Sequence, residues 1–338
     1  MPGVLFSHPS SLEHDTGAHP ERADRIRAIE AALAARDSLG WAREASPAAS
    51  REALERVHPA GYVDSISRLV ASGGGAVDAD TYASAGTWDA VLHGAGGAVA
   101  AVEAVVGGSS PVAASIHRPP GHHAEAARAM GFCFFNNVAV AAQHAITALG
   151  LSRVAIFDWD VHHGNGTNDI FHASPDVLFV SAHESPLYPG SGPASDVGSG
   201  PGAGFTVNLP VPGGSGDDVW CSLTEHVVGP LVRSFEPELV LVSAGFDAHV
   251  DDPLATCRVT DAGFAAMAAS VRRAAAACGA PVALVLEGGY DVDALARSLC
   301  DVLSVLGADG VPAVDDGLTR HPQASAAQDR LSSFWPSL

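Results

Sequence analysis

Asp158, Asp160 and His162 stand at alternate positions after the apolar run 153–156, and no other residues in the chain are better placed to do chemistry. Side chains of a strand alternate between faces, so a strand continued through 159 would turn all three the same way. Gly164-Asn165-Gly166 then breaks the strand and turns the chain tightly. Two carboxylates and an imidazole at the end of a buried strand are costly unless a cation sits among them. A divalent metal is the simplest such cation. Asp247 closes a second apolar run and adds a further carboxylate. Asp160, His162 and Asp247 would give two oxygens and one nitrogen, three ligands with a position left open, as in catalytic zinc sites. The same donors suit Fe(II), Mn(II) or Co(II). Taken alone, Asp-x-His is also compatible with a purely structural role.

His122 and His123 follow Pro119-Pro120-Gly121 on a stiff turn. They read either as loop or core histidines or as the base that a metal-activated water needs, since imidazole titrates near neutrality. Asp158 would be one ligand too many and can instead orient a histidine from behind. Tyr290, after Gly288-Gly289, can donate its hydroxyl to a developing oxyanion, or simply pack. Together these groups describe metal-assisted hydrolysis. A histidine takes a proton from water and returns it to a leaving amine.

Apolar runs must position these residues. Residues 112–116 lead to His122-His123, 153–159 to the aspartates, 239–243 to Asp247 and 282–286 to Tyr290. Further strands are expected at 4–6, 177–181 and 205–209. Helices are expected after Pro20, with Ile26, Ile29 and Leu33 on one face, and over 52–69, 86–106 and 135–149. His8, His14 and His19 read as loop residues, 189–204 as a Gly/Pro/Ser-rich loop, and the chain from about 310 as irregular, pinned by Phe334-Trp335. Alternating strands and helices predict a parallel α/β sheet. Ligands of such sheets bind beyond the carboxyl ends of the strands, where four runs deliver polar groups. No break in composition divides the chain, so one domain over 1–338 is expected.

The chain has 338 residues, is 47% hydrophobic and carries a formal charge of −20. Such a surface repels phosphate backbones and disfavours nucleic acid as a partner. It favours solubility and would attract lysine-rich peptides or polyamines. No run reaches the roughly 18 consecutive apolar residues of a membrane span. The first residues lack the features of a signal peptide, so a cytoplasmic location is expected. Five scattered cysteines argue against a disulfide framework and a cysteine zinc cluster.

Arg118-Pro-Pro-Gly-His122-His123, Gly131-Phe-Cys-Phe-Phe-Asn-Asn137, Asp158-Trp-Asp160-Val-His162-His163-Gly-Asn165-Gly, Gly245-Phe-Asp247, Asp252-Pro253 and Glu287-Gly-Gly-Tyr290 occur in this order. With His19-Pro-Glu-Arg22 they resemble the zinc-dependent histone deacetylase and acetylpolyamine amidohydrolase superfamily, closest to its class II-like bacterial members. The resemblance implies an arginase-deacetylase fold, a central eight-stranded parallel sheet flanked by helices. It implies zinc on Asp160, His162 and Asp247. His123 would be the general base and acid, His122 an electrostatic partner held by Asp158, and Tyr290 the oxyanion donor. Gly131, Phe132, Tyr188 and Leu254 would wall an acyl-lysine tunnel. A potassium ion would lie at Asp158, Asp160, His162 and Ser181, with a second near Phe171 and Val177. Arg22 resembles an arginine lining the acetate-release region.

Some members carry aspartate where Asn165 stands. A neutral amide raises the pKa of His123 less than a carboxylate would. Polyamine-specific members can carry a glutamate just after the Asp-Pro of the metal loop, where this chain has Leu254. The expected substrates are therefore acetylated lysine in a peptide or protein, with acetylpolyamines or another small acylated amine as the alternative. Arginase-type ureohydrolases need further ligands where Val161 stands. A non-catalytic acyl-lysine-binding module would be expected to lose Tyr290, a ligand or the histidine pair. A homo-oligomer is left open.

Overall fold

Alternation along each apolar run sorts its side chains into two layers. The structure, a computed structural model, describes residues 2–313 and 317–338. Its strands are β1 (Val4–Ser7), β2 (Ala42–Ala45), β3 (Gly75–Ala76), β4 (Tyr82–Ala83), β5 (Val112–Ser115), β6 (Val154–Asp158), β7 (Val177–Glu184), β8 (Thr206–Val211), β9 (Leu239–Ala244) and β10 (Val282–Leu286). Eight of them form one sheet in the order β2-β1-β5-β10-β9-β6-β7-β8, and every pairing in it is parallel. β3 and β4 make a separate antiparallel hairpin. The four runs expected to carry the site are therefore neighbours at the centre of the sheet.

In β6, Ala155 and Phe157 enter one apolar layer and Val154 and Ile156 the other. The first layer is completed by helices α1 (Asp24–Ala34), α7 (Asp217–Leu223), α8 (Gly229–Phe235), α9 (Asp261–Cys278), α10 (Val292–Gly307) and α11 (Pro322–Leu331). The second is completed by α4 (Thr87–Val106) and α5 (Asn137–Thr147). A third cluster joins α2 (Arg51–Glu55) and α3 (Ala60–Ala71) to Phe134 and Phe135. The short helix α6 (Asn165–Phe171) follows the β6 loop. Among the described residues α4 alone is long and apolar enough to cross a membrane, and most of it is buried in the fold. Its Gly97 lets it approach the end of β5, because a Cβ there would stand 2.4 Å from the His117 ring.

Several elements differ from expectation for identifiable reasons. The helix expected over 52–69 is split into α2 and α3 at Pro59, which lacks a backbone donor and restricts the residue before it. Gly164-Asn165-Gly166 does not merely turn the chain, because Asn165 and Gly166 open α6. The C-terminal stretch holds α11, capped by His321, where irregular chain was expected. Trp335 pins that end, donating Nε1–H to the Gly204 carbonyl (2.9 Å) and packing on Phe205 and Phe235, while Phe334 is largely exposed.

Candidate metal and catalytic site

β6 ends at Asp158, so Asp160 and His162 are not on the strand. Their convergence comes from two successive side-chain turns. Asp158 Oδ1 accepts the Asp160 N–H (3.1 Å), and Asp160 Oδ1 accepts the His162 N–H (2.9 Å). Asp160 Oδ2 takes the Gly288 N–H (2.8 Å), and Asp247 Oδ1 takes the Val161 N–H (2.8 Å). Asp160 Oδ1 and Asp247 Oδ2 each lie 3.1 Å from His162 Nδ1. One ligand atom from each of the three residues falls within 4.8 Å of the others, and both aspartates are fully buried. Burial alone would lower the His162 imidazole, but the two carboxylates outweigh it and hold its pKa up to about 10. Two buried anions facing one imidazole nitrogen fit a divalent cation, with hard oxygen and borderline nitrogen donors.

Beside this cluster His122 and His123 lie with ring centroids 4.0 Å apart. His122 Nδ1 meets Asp158 Oδ2 at 2.9 Å, and its Nε2 is 3.7 Å from Asp160 Oδ1. Burial disfavours its charge, yet Asp160 and Asp158 raise its pKa well above the ordinary value. His123 is equally buried and moves the other way, because burial and the neighbouring His122 and His162 all disfavour a second cation. Its Nδ1–H donates to Asn165 Oδ1 (2.8 Å), while the Asn165 amide donates to Glu125 (2.9 Å). That arrangement leaves His123 Nε2 as a free base. Glu287 seats the pair from behind, accepting the N–H groups of Gly121 (2.6 Å) and His122 (3.0 Å) and the Ser243 hydroxyl (2.9 Å).

Tyr290 is 7% exposed, and its hydroxyl has no hydrogen-bond partner among the described residues. Burial raises its pKa well above the usual value, so it is held as a proton donor. Phe132 packs edge-on against Tyr290 (5.7 Å) and His19 (4.6 Å). Tyr188 packs edge-on against His123 (5.2 Å) and, more distantly, His162 (6.3 Å). Gly131, at φ +56°, could not carry a Cβ, which would stand 2.5 Å from the His123 ring. Leu254 is half-buried on the loop that follows Asp247.

The family model for the histone deacetylase domain matches residues 19–306. The chain belongs to the histone deacetylase family. It is 39% identical over 322 residues to histone deacetylase 14, chloroplastic, of Arabidopsis thaliana, across 90% of this chain and 76% of that one. It is 41% identical over 292 residues to the histone deacetylase-like amidohydrolase of Pseudomonas aeruginosa, across 85% of this chain and 75% of that one. The crystal structure of the HDA15 HD domain superposes with a TM-score of 0.91 at 36% identity, covering 99% of this chain and 96% of that one. Membership of the family supports a deacetylase-type hydrolase acting on acetylated substrates.

Within this histone deacetylase domain most of the expected residues come together, but Arg22 does not. Its side chain is exposed and pairs with Asp24 (3.1 Å). The arginine that reaches the centre is Arg25, whose guanidinium donates to the carbonyls of Gly289 (2.6 Å) and Glu287 (2.5 Å) and lies 5.0 Å from the Tyr290 ring centre. Arg25 and Arg118 share the buried Glu21. Burial would raise that carboxyl, but Arg118 outweighs it and holds Glu21 down to about 2. Helical phase could have indicated Arg25, which adjoins Ile26 on the buried face of α1. His19, read as a loop residue, lies against Phe132. Of the residues considered for monovalent cations, Ser181 is the sheet partner of Asp158 and its hydroxyl contacts His183 Nδ1 (3.0 Å). Phe171 ends α6 and Val177 opens β7.

Proposed function

We propose that this chain hydrolyses the amide of an acylated amine, with the ε-amine of acyl-lysine as the best-supported substrate class. The observation that carries the reading is the buried Asp160–His162–Asp247 set with the His123 ring edge-on to His162 at 5.9 Å and its Nδ1 engaged by Asn165, beside the Gly288-Gly289-Tyr290 segment that Asp160 binds through the Gly288 N–H. A divalent metal, zinc by preference, would be held by Asp160, His162 and Asp247 and would supply Lewis acidity to a water and to the scissile carbonyl. His123 Nε2, neutral and unpaired among the described residues, is the group that would accept a proton from an attacking water and return it to the leaving amine. Asn165 holds the His123 tautomer through Nδ1. His122, kept charged by Asp158 and Asp160, supplies a fixed positive charge beside the reacting carbon. The Tyr290 hydroxyl donates to the carbonyl oxygen as negative charge gathers there. Phe132 and Tyr188 bracket the approach with apolar ring faces and edges, which suits an uncharged acyl-alkyl stem. The same reading assigns a structural monovalent cation, potassium by preference, to Asp158, Asp160, His162 and Ser181.

The test is turnover by metal-quantified protein on an acetyl-lysine peptide beside acetylputrescine and acetylspermidine, with and without a chelator. Chelator-sensitive acetate release favouring the peptide is expected. A strong polyamine preference would reassign the substrate despite Leu254. Metal-loaded protein inert on all three would remove the reading.

A further inference from the structure

The peptide that carries Tyr290 is anchored by a carboxylate with no part in the chemistry above. Asp252 is 7% exposed. Its Oδ2 accepts the N–H groups of Tyr290 (2.7 Å) and Asp291 (3.2 Å), and its Oδ1 accepts the N–H of Leu254 (2.9 Å). Three backbone N–H groups converge on this one side chain and hold it from both sides, while burial and then the Asp247 charge push its pKa up to about 7. The segment needs such an anchor. Tyr290 follows Gly288 and Gly289, and Gly289 sits at φ +117°. The Tyr290 hydroxyl has no hydrogen bond to the protein among the described residues. Its place is therefore fixed only by its backbone and by packing on Phe132 and Arg25.

Upstream, the segment is tied by Arg25 on the Glu287 and Gly289 carbonyls and by Asp160 on the Gly288 N–H. Downstream, Asp291 caps α10 by accepting the Ala294 N–H (2.8 Å). Asp252 holds the peptide between these two ties. It belongs to the same loop as Asp247, and its own N–H donates to the His249 carbonyl (3.0 Å). One side chain thus links the loop bearing a candidate metal ligand, the Leu254 wall and the tyrosine.

We infer that Asp252 is a positioning residue for Tyr290, setting the hydroxyl at a fixed distance from the metal-ligand set through the Tyr290 and Asp291 amides. This rests on the reading in which that hydroxyl stabilises charge on the carbonyl oxygen. A misplacement of about 1 Å can cost roughly 100-fold in rate. Asp252→Asn keeps the shape but leaves one acceptor atom where two were used.

The experiment is a cycle of Asp252→Asn, Tyr290→Phe and the double variant in metal-loaded full chain, assayed on an acetyl-lysine peptide with metal content measured for each. Asp252→Asn should retain its metal, lose about 10- to 100-fold in kcat and shift KM by less than about threefold. In the Tyr290→Phe background the same change should cost less than about threefold, because residues acting through one another are not additive. An equal cost in both backgrounds overturns the proposal and assigns the effect to the metal loop. Wild-type turnover by Tyr290→Phe alone would instead overturn the role of the hydroxyl, and the positioning role with it. Amide hydrogen exchange gives a readout independent of turnover. The Tyr290 and Asp291 amides should exchange at least about tenfold faster in Asp252→Asn, and unchanged protection there overturns the anchor even if the chain deacylates nothing.

Discussion

His117 and His122 leave the same strand end, both fully buried, yet their environments drive them in opposite directions. His117 lies on the α4 shoulder between two hydroxyls, Ser46 Oγ at 2.8 Å from Nε2 and Ser115 Oγ at 2.9 Å from Nδ1. Among the described residues no carboxylate faces it, and burial pushes its pKa down to about 3. His122 lies in the candidate site against Asp158 and Asp160, and its pKa is raised. Burial is common to both, so what differs is the compensation. On the shoulder the fold excludes charge from a buried imidazole, whereas at the centre it stores charge by setting carboxylates against imidazoles and guanidinium groups. Only the second arrangement can hold a cation or redistribute protons. The same division recurs elsewhere. His58, His163 and His183 follow His117, pushed down to between about 3 and 4, while His162 follows His122; His14 is also pushed down to about 4, by burial, although Glu21 lies 3.6 Å away, because Arg118 opposes that carboxylate.

The largest effect should come from breaking the charged side. Asp247→Ala removes one of the two carboxylates facing His162 and should empty the site of metal. Outer partners of metal sites cost roughly 10- to 100-fold when lost, and a ligand should cost more than that in turnover. Metal analysis of the purified variant decides the matter, since full metal content would mean that Asp247 is not a ligand.

A smaller effect is expected on the neutral side, in stability and not in chemistry. The unfolded chain binds a proton on His117 as pH falls below 6.5, whereas the folded chain does not until about pH 3. The unfolded state therefore holds more protons across that window, and stability falls with falling pH by up to about 1.4 kcal/mol per pH unit for this one group. His117→Gln can keep a hydrogen bond to a serine and cannot titrate. Urea unfolding at pH 7, 6 and 5 should show a shallower acid loss in the variant than in the wild type. Parallel curves would show that His117 is not the neutral, excluded group described here.

How much of this could be read from the sequence follows from the same contrast. β5, β6, β9 and β10 are buried on both faces and read as continuous apolar runs, so their ends pointed to the site directly. β2 is an edge strand with a mostly exposed Ala-Arg-Glu-Ala sequence, paired only to β1, and it leaves no such trace. Asp158, Asp160 and His162 stand out by residue type and spacing, but the pleat does not account for their convergence, because β6 ends at Asp158. Side-chain turns after the strand bring Asp160 and His162 inward. The charges that hold the centre together were least visible. Glu21 meets Arg118 across 97 positions and Glu287 meets Gly121 across 166, distances over which local pattern carries no information.

The smallest effect separates two arginines three positions apart, Arg22 just before α1 and Arg25 within it. The resemblance directed attention to Arg22, but its side chain is 44% exposed and its partner Asp24 is 51% exposed. An exposed pair of this kind contributes little. Arg22→Ala should leave stability within about 0.5 kcal/mol and turnover within about twofold. Arg25, by contrast, is wholly buried and shares Glu21 with Arg118, so it belongs to the region of paired buried charges. Thermal unfolding and steady-state kinetics on Arg22→Ala test the distinction. If this variant kept its fold and metal yet slowed tenfold, or lost its sensitivity to added acetate, the exposed arginine would act in product release. The boundary between the charged centre and the ordinary surface would then lie further out than the geometry places it.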